Sequence, residues 1–313
     1  MIKPKIIFLG TPEFAIPVLN CLINSEFRPA AVITQPDKPA GRKLKLTSPP
    51  VKNLAEKYNL KVFQPRHKTE LRQILDELKP DLCILVAFGM IIPDDLLNLP
   101  ALGWLNIHPS LLPKYRGSSP IQAAILNNDS HTGISIIRLI NRVDAGPILA
   151  QAKAAISSED TAETLSRKLA NLAANILIDN LPPYLDRTAG LKEQADADAT
   201  YTGMIDRQQG EISWQKSAAE INRQFRAFYP WPGIYSYLDG KRLKIANLSV
   251  LEGNFGANLA PGELFFTPSN ELAVKCGQDA VILNLLQLEG KAEMTGGQFA
   301  RGQKNLTGKK LKK

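Results

Sequence analysis

The sequence predicts an α/β protein: a doubly wound sheet with a parallel core, followed by a smaller domain built as an OB-like β-barrel. Three observations carry this reading. The first half alternates short apolar runs with stretches of helical period, the pattern of strands joined by crossover helices. The run at 81–88 is almost continuously apolar, as expected of a strand buried on both faces of a parallel sheet. Beyond residue 208 the chain changes to short apolar runs divided by Gly, Pro and Asn with little helix, which suits a small barrel. A chain of 313 residues has room for two such domains and their cores.

Taken in order, residues 5–10 read as a strand, 14–23 as a helix and 30–35 as a strand. Helical period returns at 51–58 and 71–78, and strands follow at 81–88, 104–108 and 133–139. The long period at 161–177 is preceded by Glu159 and Asp160, acids that favour the positive end of a helix dipole. After Pro182-Pro183 comes a polar stretch, 192–198, with little to bury. The expected partition is the α/β domain at 1–186, a linker at 187–207 and the barrel at 208–313. In that last part, 218–228 reads as a helix, and 234–238, 242–250, 262–266, 272–275 and 280–288 read as strands.

Several classes are excluded at this level. No apolar run approaches the roughly 18–20 residues that a bilayer span needs. The start has neither an apolar signal core nor an Arg-rich presequence, so a cytoplasmic address is expected, with no membrane partner. Cys21, Cys83 and Cys276 are odd in number and widely spaced, which supports neither a disulfide framework nor a metal site. Of the formal net charge of +8, most sits in the acid-free tail: Arg301, Lys304, Lys309, Lys310, Lys312 and Lys313. A second cluster, Lys38, Arg42, Lys43 and Lys45, falls in a Pro/Gly-punctuated stretch. Such clusters suit a polyanion, and a solvated surface equally.

Chemistry is best placed at 106–113, Asn-Ile-His-Pro-Ser-Leu-Leu-Pro, at the carboxyl end of a strand where α/β proteins bind ligands. Asn106 and His108 are two residues apart and so share one strand face. An amide offers an uncharged donor to a growing oxyanion, and an imidazole moves protons near neutral pH. Asp144, in the turn-rich loop Asn141-Arg142-Val143-Asp144-Ala145-Gly146-Pro147, is the candidate carboxylate beside that imidazole. His67 and His131 lack comparable company and read as surface residues. Gly10-Thr11-Pro12-Glu13-Phe14 is a strand-to-helix turn without the glycines of a dinucleotide site. No Gly-x-Ser-x-Gly is present, so direct acyl transfer to an external amine fits better than a covalent enzyme intermediate.

The run at 106–113 together with the Asp144 loop resembles the signature of the folate-dependent formyltransferases. Three further stretches point to those members that act on charged tRNA: Phe8-Leu9-Gly10-Thr11-Pro12-Glu13-Phe14-Ala15, Thr34-Gln35-Pro36-Asp37-Lys38-Pro39-Ala40-Gly41-Arg42 and Phe228-Tyr229-Pro230-Trp231-Pro232-Gly233. The resemblance implies a Rossmann-like formyltransferase domain joined to a C-terminal OB-like tRNA-binding domain. It implies 10-formyltetrahydrofolate as co-substrate, no metal, and the methionine of initiator methionyl-tRNA as acceptor, in a monomer. It places Asn106, His108 and Asp144 at the catalytic positions, Ser110, Leu111, Leu112 and Pro113 against the folate, and Arg42 against the tRNA acceptor end, with Lys43 and Lys45 beside it. Lys43 stands where the family has glycine, so the neighbours of Arg42 match less well. Three other readings stay open: formyl transfer to a sugar nucleotide, hydrolysis of a formylfolate, and a non-catalytic RNA-binding protein.

Overall fold

The computed structural model describes residues 3–40, 45–303 and 305–312. They form two compact units. The first takes the chain up to Pro120 with His131–Ala155 and Leu165–Gly203, and the second takes Ile121–Ser130, Ile156–Thr164 and the chain from Met204 onward.

The first unit is built on a seven-stranded sheet. In chain order its strands and their companions are β1 (Ile6–Gly10), α1 (Ile16–Ile23), β2 (Ala31–Ile33), the ribbon β3 (Lys38–Ala40) and β4 (Lys45–Thr47), α2 (Pro50–Lys57), β5 (Lys61–Phe63), α3 (Lys68–Leu78) and β6 (Leu82–Val86). Next come α4 (Asp94–Leu97), β7 (Trp104–His108), β8 (Arg116–Gly117), then α5 (Pro120–Leu126), which falls almost wholly in the second unit, then β9 (His131–Arg138), β10 (Ile148–Ala155) and α6 (Ala162–Leu185), which belongs to the first unit from Leu165 onward. The sheet order is β10-β9-β7-β6-β1-β2-β5. β1, β2, β5, β6 and β7 are parallel, which makes the core Rossmann-like. Ile6 to Leu9 of β1 are at most 2% exposed, and fully burying such side chains contributes about 1.5–3 kcal/mol each.

Three departures from the sequence reading matter. The strand read at 133–139 spans His131–Arg138 and runs antiparallel to both β7 and β10, so the sheet is mixed at this edge. β10 went unread because its sequence is half alanine. The helix read at 161–177 continues through Pro182 and Pro183 to Leu185. The carbonyls of the two prolines still accept, Pro182 O from Asp186 N at 3.0 Å and Pro183 O from Thr188 N at 2.9 Å.

The second unit carries α7 (Ala218–Phe228), opened by a capping box in which Ser217 and Glu220 satisfy each other's backbone amides. β11 (Tyr201–Thr202) still belongs to the first unit, where it pairs with β8. The second unit's strands are β12 (Ile234–Leu238), β13 (Lys241–Leu251), β14 (Leu264–Phe266), β15 (Leu272–Lys275), β16 (Ala280–Leu288) and β17 (Met294–Thr295), before the short α8 (Gly296–Arg301). The antiparallel order is β12-β13-β16-β15-β14, with β17 on β16.

The basic tail is part of this barrel rather than a solvated end. Lys312 exchanges two backbone hydrogen bonds with Tyr237 of β12, at 3.0 and 2.9 Å. On its other side the same segment bonds the chain beside β14: Leu264 N donates to Lys309 O at 2.9 Å and Leu311 N to Gly262 O at 2.8 Å. The tail thus lies between the two edge strands and closes the sheet. Leu306 and Leu311 are buried, and Lys309 pairs with Asp239 at 2.7 Å.

Candidate active site

His108 ends β7 and Asn106 lies two residues before it, both buried on the same strand. Asp144 comes from the loop between β9 and β10. That loop is pinched at its base, where Arg138 N donates to Pro147 O at 2.9 Å. Gly146 makes the pinch possible, since a Cβ there would lie 1.8 Å from Arg138 O. Asp144 itself has φ +49°, a left-handed conformation that short polar side chains tolerate better than most.

The three side chains meet. Asn106 Nδ2 donates to Asp144 Oδ1 at 3.3 Å, and His108 Nδ1 lies 3.5 Å from Asp144 Oδ2. Gly117 N donates to the same Oδ2 at 2.8 Å. His108 Nε2 is 2.9 Å from Tyr115 O. Gly117 has φ +112°, and a Cβ there would lie 2.1 Å from Thr202 O, so only glycine presents its amide to Asp144 in this way.

Such a cluster can steady negative charge growing on a bound oxygen and take a proton from a nearby nitrogen. It holds no nucleophile. The Ser110 hydroxyl donates to Lys114 O at 2.6 Å. Burial raises the Cys83 thiol well above its usual value and pushes Cys276 up to about 12, so neither offers a thiolate.

The remaining expected site residues fall as follows. In 110–113, Ser110 and Leu112 turn inward: Ser110 O accepts from Ser135 Oγ at 2.7 Å, and Leu112 packs with Ile137 and Ile148. Leu111 and Pro113 are half-buried. Lys45 is exposed on β4, whereas Arg42 and Lys43 lie outside the described residues. Asp37 roots the β3–β4 ribbon through Lys52 at 2.9 Å, Gln64 at 2.8 Å and Ser48 at 3.2 Å. The Lys52 and Gln64 hydrogen bonds hold the Asp37 carboxyl below its usual value. His67 caps α3, its Nδ1 accepting from Glu70 N at 3.4 Å.

Two hollows stand apart from this cluster. A groove of about 820 Å3 is lined by Leu97, Leu102, Gly103, Leu139, Ile140 and Asn141, towards the amino end of β7, without the three polar side chains. The run 139–141 leads straight into the Asp144 loop. In the second unit a cleft of about 470 Å3 is lined by Arg207, Trp231, Arg242 and Lys244, and Arg242 stacks on the Tyr235 ring at 3.6 Å.

With a mixed α/β core, a buried Asn–His–Asp cluster and a second barrel unit in place, the class of protein is a two-domain group-transfer enzyme. The chain belongs to the formyl transferase family: residues 4–181 match formyl transferase and 204–304 match the formyl transferase C-terminal domain. It is 41% identical over 311 residues to the methionyl-tRNA formyltransferase of Dehalococcoides mccartyi strain CBDB1, covering 98% of each chain. It is also 41% identical over 310 residues to that of Methylococcus capsulatus, covering 98% of this chain and 99% of the other. The protein of the same name from Staphylococcus epidermidis is 40% identical over 312 residues, with the same coverage.

Among solved structures, HypX from Aquifex aeolicus in complex with tetrahydrofolic acid superposes with a TM-score of 0.67 at 15% identity, over 95% of this chain and 47% of that one. This chain therefore spans about half of HypX. The N-formyltransferase from Helicobacter canadensis in complex with folinic acid and dTDP-3-aminofucose gives 0.65 at 20%, over 90% and 99%. At such identities the likeness is one of fold. Among the described residues no helix is long and apolar enough to cross a membrane.

Proposed function

We propose that the chain transfers the formyl group of 10-formyltetrahydrofolate to the α-amino group of methionine esterified to initiator tRNA, in the cytoplasm and as a monomer. The observation that carries the mechanism is the convergence of Asn106, His108 and Asp144 in one buried cluster. The relatives that match nearly the whole chain support the choice of substrates.

The folate supplies a formyl carbon open to attack by an uncharged amine. Asn106 and His108 serve as donors to the formyl oxygen as it gains charge, and one such donor is worth about 2.7–4 kcal/mol. To do so, His108 Nε2 exchanges the Tyr115 carbonyl for that oxygen. Asp144 receives the proton shed by the attacking nitrogen and passes it on to the folate nitrogen as that nitrogen's bond to the formyl carbon breaks, so the folate leaves protonated there. Such proton transfer contributes about 10²–10⁴ in rate. The donor set of amide, imidazole and carboxylate fits an acyl donor and calls for no metal.

Residues 1–186 serve as the catalytic domain, 187–207 as the linker and 208–313 as the RNA-binding domain. Ser110, Leu111, Leu112 and Pro113 wall the folate, through the backbone and the two half-buried side chains. Arg42, Lys43 and Lys45 reach the acceptor end by phosphate contacts that weaken with salt. The cleft of Arg207, Trp231, Arg242 and Lys244 suits RNA, with a stacking ring beside cations. Incubating the purified protein with 10-formyltetrahydrofolate and charged initiator tRNA is expected to give N-formylmethionine on that tRNA. Folded protein that binds both substrates without forming it would overturn the reading.

A further inference from the structure

We infer that Gln194, with Arg116 behind it, is a positioning residue for the catalytic loop. The stretch that reads as a bare polar connection is strapped across that loop. Gln194 Nε2 donates to Asp144 O at 2.8 Å and to Gly146 O at 2.7 Å. Its Oε1 accepts from Arg116 Nε at 3.1 Å and Nη2 at 2.9 Å. Two N–H groups and two lone pairs are the whole hydrogen-bonding capacity of a primary amide, and all of it is spent here.

Arg116 is 1% exposed and also reaches Asp196 at 2.9 Å. Asp196 in turn accepts from Arg142 of the same catalytic loop, at 2.7 Å. Upstream, Lys192 exchanges two backbone bonds with Ile148, at 2.7 and 2.9 Å, where the loop rejoins β10. Downstream, Tyr201 and Thr202 pair with Arg116 and Gly117, and Gly117 is the residue whose amide holds the Asp144 carboxylate. Asp144 is therefore gripped twice from one strap: at its side chain through Gly117, and at its backbone through Gln194. A left-handed residue persists where its surroundings over-determine it, and Gln194 provides the backbone half of that restraint. The geometry requires a planar group with two donors on one edge and two acceptor sites on the other, which an arginine-held glutamine supplies and a hydrocarbon of equal length does not.

The inference rests on the proposed reaction, and its test separates the two. Gln194→Met keeps the volume and removes the hydrogen bonds. It is expected to lower kcat for formyl transfer about 10- to 100-fold, as a misplacement of about 1 Å can, while KM for tRNA and for folate stays near wild type. In an Asp144→Asn background the same substitution is expected to change kcat by no more than about twofold, because residues acting as one unit are not additive. An equal loss in both backgrounds, or none in the first, overturns the assignment. A readout independent of activity is the Gly117 amide: its hydrogen exchange is expected to quicken in Gln194→Met while amides of β1 and β6 keep their rates. A wild-type protein that transfers no formyl group speaks against the proposed function. The Gly117 amide still decides the positioning role in that case, because unchanged exchange there overturns it.

Discussion

Oδ2 of Asp144 lies 3.5 Å from Nδ1 of His108 and at the same time takes the Gly117 amide at 2.8 Å. The carboxylate is thus oriented by the backbone before the imidazole meets it, so its direction does not depend on the His108 rotamer. Replacing His108 by Ala leaves Asp144 in place and removes one donor. A loss of about 10²–10³ in kcat is expected from removing such a donor. Asp144→Asn removes the charge and the proton acceptor together and is expected to cost at least as much. The double variant is expected to be little worse than the poorer single one, since the groups act together. Steady-state formyl transfer measures all three, and near-wild-type kcat in either single variant would remove that residue from the mechanism.

The tail offers a contrast between its leucines and its lysines. Leu311 is 1% exposed inside the barrel, and Leu311→Ala is expected to cost about 2–5 kcal/mol of stability. Lys310 and Lys312 are exposed, and Lys310→Gln or Lys312→Gln is expected to stay within about 0.5 kcal/mol of wild type. Urea unfolding of the full chain distinguishes them. Equal effects at the three positions would show that the segment is not packed.

Thiol accessibility follows burial. Cys276, held up to about 12, and Cys83, raised well above its usual value, are both shut away by burial. Cys21 is half-exposed and is raised by partial burial and by Asp179. An aromatic disulfide reagent at pH 8 is expected to modify Cys21 slowly in the native protein and all three thiols after unfolding. Rapid native reaction of more than one thiol would contradict the packing of β6 or β15.

Asp196 links the strap to the Asp144 loop and supplies a pH signature. Its hydrogen bonds with Arg142 and then Arg116 hold its carboxyl below the usual carboxylate range. A lowered folded value means stability that is present above the unfolded pKa of about 3.9 and is lost as pH falls through the folded value. The stability difference between wild type and Asp196→Asn is therefore expected to be constant from neutral pH to about pH 4 and to shrink below it. Denaturation series at several pH values measure this, and a difference that grows in acid would reverse the assignment.

Much of this site was legible in the chain because its logic is local. Asn106 and His108 follow from the two-residue period of a strand, and Asp144 from a Gly/Pro turn after an apolar run. The direction of β9 was not legible, since an apolar strand reads the same whether it pairs parallel or antiparallel. β10 hid because alternating alanines give weak contrast between faces. Gln194 and Arg116 hid for a different reason: a polar residue in a polar stretch gains its meaning only from partners far away in sequence. The lysine-rich tail misled through composition, because Leu306 and Leu311, which decide its burial, are outnumbered by charges.

The tail's place between β12 and the chain beside β14 also bears on synthesis. Both of its neighbours leave the ribosome first, so in a nascent chain β14 and the Tyr237 end of β12 lack this partner until residues 309–312 emerge. Open edges of that kind invite pairing with other chains. Messages cut short before this segment would therefore yield a protein with the Asn106–His108–Asp144 cluster intact beside a sticky, unfinished partner module, and aggregation would be its first defect.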